Sequence, residues 1–207
     1  MTPESTKVPP KFGDNYDIGY IGFSGSVGNT NVVSQGIAYF TRWDKLSDIT
    51  VSHALIVTGE NECVEAIMGR GVNADPLQAY FANPNAAIFF RKPLNYNKDI
   101  GQRIAQAAKS QVGTKYNDWL IAGFLLAGTF LGHVVNKVFK DKPEDDVNKF
   151  LAGHHTWICS ELAAYCLEQQ PEYKDKGILA RPVDTIDPQA LFEDQVIFTP
   201  WHTGPPC

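Results

Sequence analysis

Cys159 closes the short apolar run Thr156-Trp157-Ile158 and opens Ser160-Glu161-Leu162-Ala163-Ala164-Tyr165, a pattern that predicts a helix starting at the cysteine. Unpaired amides at a helix N-terminus carry partial positive charge and favour thiolate over thiol, and the thiolate is the nucleophile. Such a nucleophile works with a base. The segment Thr50-Val51-Ser52-His53-Ala54-Leu55-Ile56-Val57 predicts a β-branched, largely buried strand that carries one histidine, His53. A second strand, Glu62-Cys63-Val64-Glu65-Ala66-Ile67, follows through a Gly59-Glu60-Asn61 turn, which predicts a hairpin. Antiparallel pairing about that turn sets Glu65 on the strand beside His53, where a carboxylate can fix the tautomer and orientation of the imidazole. The three residues thus read as nucleophile (Cys159), base and then acid (His53) and orienting carboxylate (Glu65). Their distance in sequence is no obstacle, because triad members meet in the fold. Each alone also has a packing reading, as a buried free cysteine or a core histidine bonded to a carbonyl.

The elements that must position these groups follow from periodicity. Strands are expected at Asp17 to Phe23, Ile49 to Val57, Glu62 to Ile67, Ala86 to Arg91 and Gln195 to Thr199. Helical spacing is clearest from Lys98 to Val112, where Ile100, Ile104, Ala107, Ala108 and Val112 share a face and Asn97 can cap. Asn31 to Trp43, Asp118 to Lys140, Cys159 to Gln169 and Pro188 to Glu193 also read as helical, with the charged Lys140 to Asp146 stretch in solvent. This segregation predicts an α+β fold in which an antiparallel sheet packs against helices, the nucleophile helix among them. With 207 residues, 43% of them apolar, the chain supports one sizeable core, read as a lead-in over 1–12, a domain over 13–200 and a tail over 201–207.

Charge and cysteine usage narrow the partners. A net charge of -5 without a basic cluster excludes nucleic acid as a main partner, since phosphate binding needs concentrated Lys and Arg. Cys63, Cys159, Cys166 and Cys207 lack the paired spacing of a structural zinc site, so no metal is expected. Met1 to Pro10 is polar and Pro-containing, without the apolar core of a secretory signal, and an unpaired nucleophilic thiol fits a reducing, cytoplasmic setting.

The order of Ser52-His53-Ala54, then Val64-Glu65-Ala66, then Cys159-Ser160-Glu161-Leu162 opening a helix resembles the circularly permuted NlpC-type papain-fold hydrolases, above all the YiiX/YebB-like group. In ordinary papain-like enzymes the cysteine helix comes before the histidine strand; here the order is reversed, as in the permuted branch. Gly13-Asp14 with Ile18 to Phe23 resembles the opening strand of that group, and Val33 to Trp43 its following helix. Gly113-Thr114-Lys115-Tyr116-Asn117 resembles its Gly-x-x-Tyr-Asp turn, with Asn in place of Asp, and Ile186 to Leu191 with Val196 to Phe198 its ending. The resemblance implies a circularly permuted papain-like fold and a cysteine hydrolase of peptidase or amidase type. Its substrates would be peptide, cell-wall-like or acyl-containing, cleaved at amide, peptide or ester bonds through an acyl-enzyme. The backbone amide of Cys159 would serve the oxyanion, and no cofactor is required. Tyr20 and Tyr116 are further candidates for substrate contact, with packing as the alternative.

Trp119 to Val135 is a long apolar segment interrupted by Gly123, Gly128, Thr129, Gly132 and His133, which disfavours a stable membrane span. It reads as a buried helix, as a homo-oligomer interface, or as an apolar wall that accepts an acyl chain. The last reading opens two alternatives: an acyltransferase or lipid hydrolase of the lecithin retinol acyltransferase-like branch, or a non-enzymatic lipid-binding module. His154 and His155 lie too close before the helix start to serve as its base. Cys63 and Cys166 read as packing, the latter on the same helical face as Cys159.

Overall fold

A computed structural model describes residues 10–26, 50–83, 86–116 and 156–200. Strands β1 (Ile21–Ser26), β2 (His53–Gly59), β3 (Glu62–Ile67), β4 (Gly71–Asp75) and β5 (Ala86–Arg91) form an antiparallel five-stranded sheet in the order β4-β3-β2-β1-β5. A short helix α1 (Gln78–Phe81) links β4 to β5, and α2 (Lys98–Lys109) follows β5. A small parallel pair, β6 (Lys115–Tyr116) with β7 (Thr156–Trp157), leads into α3 (Cys159–Glu168). Two 3₁₀ turns, Gly177–Ala180 and Val183–Thr185, and α4 (Pro188–Glu193) follow. The fold class is α+β, as the sequence predicts.

Side chains alternate across the sheet, and both faces are covered. Ile21, Phe23, Ala54, Ile56, Val64 and Ala66 join Ile100 and Ile104 of α2 and Leu162, Ala163 and Cys166 of α3 in one core. Leu55, Val57, Cys63 and Ile88 point the other way, into a second cluster with Tyr16 and Leu77, bordered by Phe12, Tyr20, Tyr80, Phe81 and Phe90. Burial on both sides is why β2 reads as a nearly continuous apolar run rather than an alternating one.

Element ends follow local chemistry. Asn97 caps α2 as expected, its side-chain oxygen accepting from the Ile100 amide at 2.9 Å, and Asp187 does the same for Ala190 at 2.8 Å in α4. The opening strand starts at Ile21 rather than Asp17. Gly19 sits at φ +84° with its Cα face against Gly101 of α2, so residues 17–20 form a turn that only a residue without Cβ allows. Gln195 to Thr199 is not a strand; a single bridge joins Phe198 to Pro93. The Asp194 carboxylate takes the amides of Ile178, Val196 and Ile197, so a side chain satisfies part of the backbone there, and the Ile197 carbonyl and Thr199 amide pair with Leu94 and Lys92 at the bridge. Strand β4 and helix α1 were not expected from the pattern. The proposed helices Asn31 to Trp43 and Asp118 to Lys140, the apolar segment Trp119 to Val135, the charged Lys140 to Asp146 stretch, and His154 and His155 lie outside the described residues. Among the described residues no helix is long and apolar enough to cross a membrane.

Arg91, on β5, is the largest buried polar anchor. Its guanidinium donates to the carbonyls of Phe192, Asp194 (2.9 Å) and Thr199 (3.0 Å) and lies 4.9 Å from the Phe198 ring centroid. Burial pulls its pKa down to about 10, against the nearby Asp194, so it stays charged at neutral pH. Replacing it strands buried carbonyls, each worth about 1–3 kcal/mol when left without a donor. Arg91→Met is therefore expected to lower the unfolding free energy by about 3 kcal/mol. Equilibrium denaturant unfolding checks this: the midpoint should fall with an unchanged slope, and an unmoved midpoint rejects the anchoring role.

Candidate active site

The hairpin forms with the predicted pairing. Ile56 faces Val64, so Glu65 falls opposite Leu55, one step diagonally from His53 on the same face of the sheet. His53 is the first residue of β2, which leaves its ring at the end of the strand. Its Nε2 meets Glu65 Oε2 at 2.5 Å. That carboxylate is 2% exposed, and the same oxygen accepts from the Tyr80 hydroxyl at 2.5 Å. The Tyr80 ring lies nearly parallel to the imidazole, with centroids 6.2 Å apart and planes 11° apart. Cys63 is oriented to the same side, its Sγ 4.0 Å from Glu65 Oε1 and 3.3 Å from the Asp75 carbonyl.

On its other side His53 has the Cys159 side chain as a neighbour whose sulfur acts on the charge of the ring. With Nε2 engaged by Glu65, Nδ1 is the ring nitrogen left for the sulfur. Cys159 is the first residue of α3 and 2% exposed, and its amide belongs to the first turn, whose N–H groups lack intrahelical acceptors. The Ile158 amide donates to Glu161 Oε2 at 2.9 Å, and Ser160 Oγ donates to the Ile186 carbonyl at 2.6 Å, which fixes the helix start against the chain that precedes α4. Strand β7 pairs Trp157 with Tyr116 two residues before the cysteine, so the chain enters α3 along a fixed direction.

Charge distribution follows from these contacts. Burial alone pulls His53 toward its neutral form, but the Cys159 sulfur and the Glu65 carboxylate outweigh it and push the imidazole up to about 10. Burial likewise raises the Glu65 carboxyl, and the His53 and Tyr80 hydrogen bonds reverse the sign, holding it below its ordinary value. Tyr80 is driven well above the usual phenol range by burial and by the adjacent Glu65 charge, so its hydroxyl remains a donor. Burial also drives the thiols of Cys63 and Cys166 upward, Glu65 adding to the effect on Cys63.

The structure thus brings Cys159, His53 and Glu65 together and does not bring Tyr20 to them. Tyr20 opposes the far end of β2, its carbonyl accepting from the Val57 amide at 3.0 Å, and its ring packs edge-on to Tyr96 at 5.0 Å. At about 3.3 Å per strand residue, the four positions from His53 to Val57 put that end roughly 13 Å away. The backbone of Tyr116 does lie beside the entry to α3. Asn61 accepts from the Gln78 amide at 2.9 Å and so holds the start of α1 rather than the imidazole, and Gln78 itself is exposed. Tyr80 was not identified from the pattern. The signal that points to it is Asp75-Pro76, which ends β4 and turns the chain back over the sheet face that carries His53 and Glu65.

No protein-family model, no curated protein and no solved structure matches this chain.

Cys159 alone among the described cysteines has an imidazole partner. Iodoacetamide at neutral pH is therefore expected to label Cys159 at least roughly tenfold faster than Cys63 or Cys166, whose raised thiols hold little thiolate. Peptide mapping by mass spectrometry gives the rates, and earlier labelling of either other cysteine reverses the assignment.

Proposed function

We propose that this chain is a cysteine-dependent hydrolase of amide, peptide or ester bonds, with a circularly permuted papain-like arrangement of the NlpC type. The observation that supports it is the convergence of Cys159, at the start of α3, with His53 at the head of β2 and a buried Glu65 carboxylate 2.5 Å from the imidazole. The chain order of these residues, histidine strand before cysteine helix, is that of the permuted branch, and the antiparallel sheet packed against α3 is compatible with it.

The chemistry follows from the geometry. The Cys159 thiolate attacks the substrate carbonyl carbon, and the carbonyl π electrons move to oxygen, where the first-turn amide of Cys159 donates. As the tetrahedral intermediate collapses, the bond to the leaving group breaks and His53 Nδ1–H supplies the proton that group needs. A water molecule then gives a proton to the neutral His53 and attacks the thioester. Collapse of this second intermediate releases the acid and returns the electron pair to sulfur, restoring thiolate and imidazolium. Glu65 makes and breaks no bond; it holds the ring so that Nδ1 faces the sulfur, and it stabilises the imidazolium.

Intact-mass analysis after exposure to a panel of acyl, peptide and lipid electrophiles tests the proposal. An acyl adduct on the native chain and none on Cys159→Ala is the expected result; equal adducts on both reject the nucleophile. On any substrate so found, Cys159→Ala and His53→Ala should each lower kcat by about 10³-fold or more, while Glu65→Gln leaves a larger residual rate. The imidazolium is present below its raised pKa and is lost as pH rises through it. The alkaline limb of kcat/KM is therefore expected near pH 10, the value of the His53 imidazole in the folded protein, and a limb near the ordinary histidine value of about 6.5 contradicts the ion pair.

A further inference from the structure

We propose that Tyr80 is a positioning residue for the Cys159–His53–Glu65 site: it pins the Glu65 carboxylate and takes up part of the charge that Glu65 offers to His53. The inference rests on the reading of those residues as a hydrolytic site. Glu65 Oε2 is one acceptor with two donors, Nε2 of His53 and Oη of Tyr80, each at 2.5 Å. A carboxylate held by one donor can rotate about its last side-chain bond; a second donor from a different element removes that freedom. Tyr80 comes from α1, whose start is itself fixed by the Asn61 side chain, so the hydroxyl arrives on a tethered element rather than a free loop.

Sharing the oxygen also divides its charge. A hydrogen bond to an anion stabilises the charged form, so the Tyr80 hydroxyl makes Glu65 a weaker base toward His53 than it is alone. The groups that act on this network are Glu65 and Cys63 on β3, Arg70 in the β3–β4 turn, Asp75 on β4, His53 on β2 and Cys159 on α3. Tyr80 itself can be altered by one oxygen atom with its ring retained. The parallel placement of that ring against the imidazole accounts for its packing, and Tyr80→Phe separates the packing from the hydroxyl.

Titration of the His53 imidazole by NMR is the decisive measurement, because it needs neither turnover nor a known substrate. In Tyr80→Phe the His53 transition should move upward by about 0.5–1 pH unit, since Glu65 then directs its full charge to the ring. In a Glu65→Gln background, Tyr80→Phe should add no further displacement, because the coupling passes through the carboxylate. An unmoved or lowered His53 transition overturns the proposal, and so does a displacement that survives Glu65→Gln. Should Tyr80→Phe not fold, 3-fluorotyrosine incorporation keeps the hydroxyl and makes it a stronger donor; His53 must then move downward, and an upward or absent change overturns the proposal. Failure of the hydrolase reading is seen separately, as the absence of an acyl adduct on Cys159 while the His53 titration still responds to Tyr80.

Discussion

A single buried carboxylate, Glu65, sets the terms for everything around it. A charged carboxyl group almost fully removed from water is costly unless its oxygens are matched by donors, and Glu65 is matched by an imidazole and a phenol on the same oxygen. Each donor comes from a different element. The imidazole requires the β2–β3 register, because a slip of one residue turns Glu65 to the opposite face of the sheet and leaves both partners behind. The phenol requires α1 to lie over that same face. The second hydrophobic cluster, built from Tyr16, Leu55, Val57, Cys63, Leu77 and Ile88, is what holds α1 there. Packing on the outer face is thus a condition for the charge arrangement on the inner end of β2.

The nucleophile arrives from the other layer. Helix α3 buries Leu162, Ala163 and Cys166 among Ala54, Ile56, Val64 and Ala66, on the face that Glu65 does not share. Groups on opposite faces of a sheet meet only past the end of a strand. His53, as the first residue of β2, stands at such an end, and Cys159, as the first residue of α3, is the part of the helix that reaches it. Both residues therefore owe their meeting to being terminal in their elements. The same position gives the cysteine the unpaired amides of a helix start, so placement and activation have one structural origin.

What the sequence makes legible here is what short-range pattern encodes. Strand β3, with its Glu62–Ile67 bounds, the hairpin that sets Glu65 beside His53, the start of α3 at Cys159 and the Asn97 cap are all specified within a few residues, and the structure has them where the pattern puts them. Tyr80 was hidden because α1 is a single turn, too short for periodicity to register, and its partner lies 15 residues away across a strand that carries little apolar signal. Gln195 to Thr199 has the composition of a strand, yet the Asp194 carboxylate takes the Val196 and Ile197 amides and Arg91 the Thr199 carbonyl, which leaves a single bridge to the chain after β5, made by Leu94 to Ile197 and Thr199 to Lys92. Tyr20 is a candidate for substrate contact by its polar ring alone; the antiparallel pairing of β1 with β2 sets its carbonyl against the Val57 amide, at the end of β2 away from His53.

The site contains a second buried carboxyl that shows why the donor set, rather than burial, decides charge. Glu161 sits in the first turn of α3, where the helix dipole favours an acid, and is 4% exposed. Burial raises its pKa to about 7, with Asp184 adding to the rise and only the Ile158 amide opposing it. Glu65 is at least as buried and is held in the opposite direction, because a cationic ring and a hydroxyl face it in place of one neutral amide. Around neutral pH His53 keeps its proton and Glu65, held below its ordinary value, is an anion, so the acid–base network keeps one charge state there. Glu161 changes charge within that range, two residues from the sulfur but bonded to the backbone ahead of it. The cysteine thus stands between a carboxylate network that fixes its partner and a carboxyl that caps its helix, and only the first of these is wired to the imidazole.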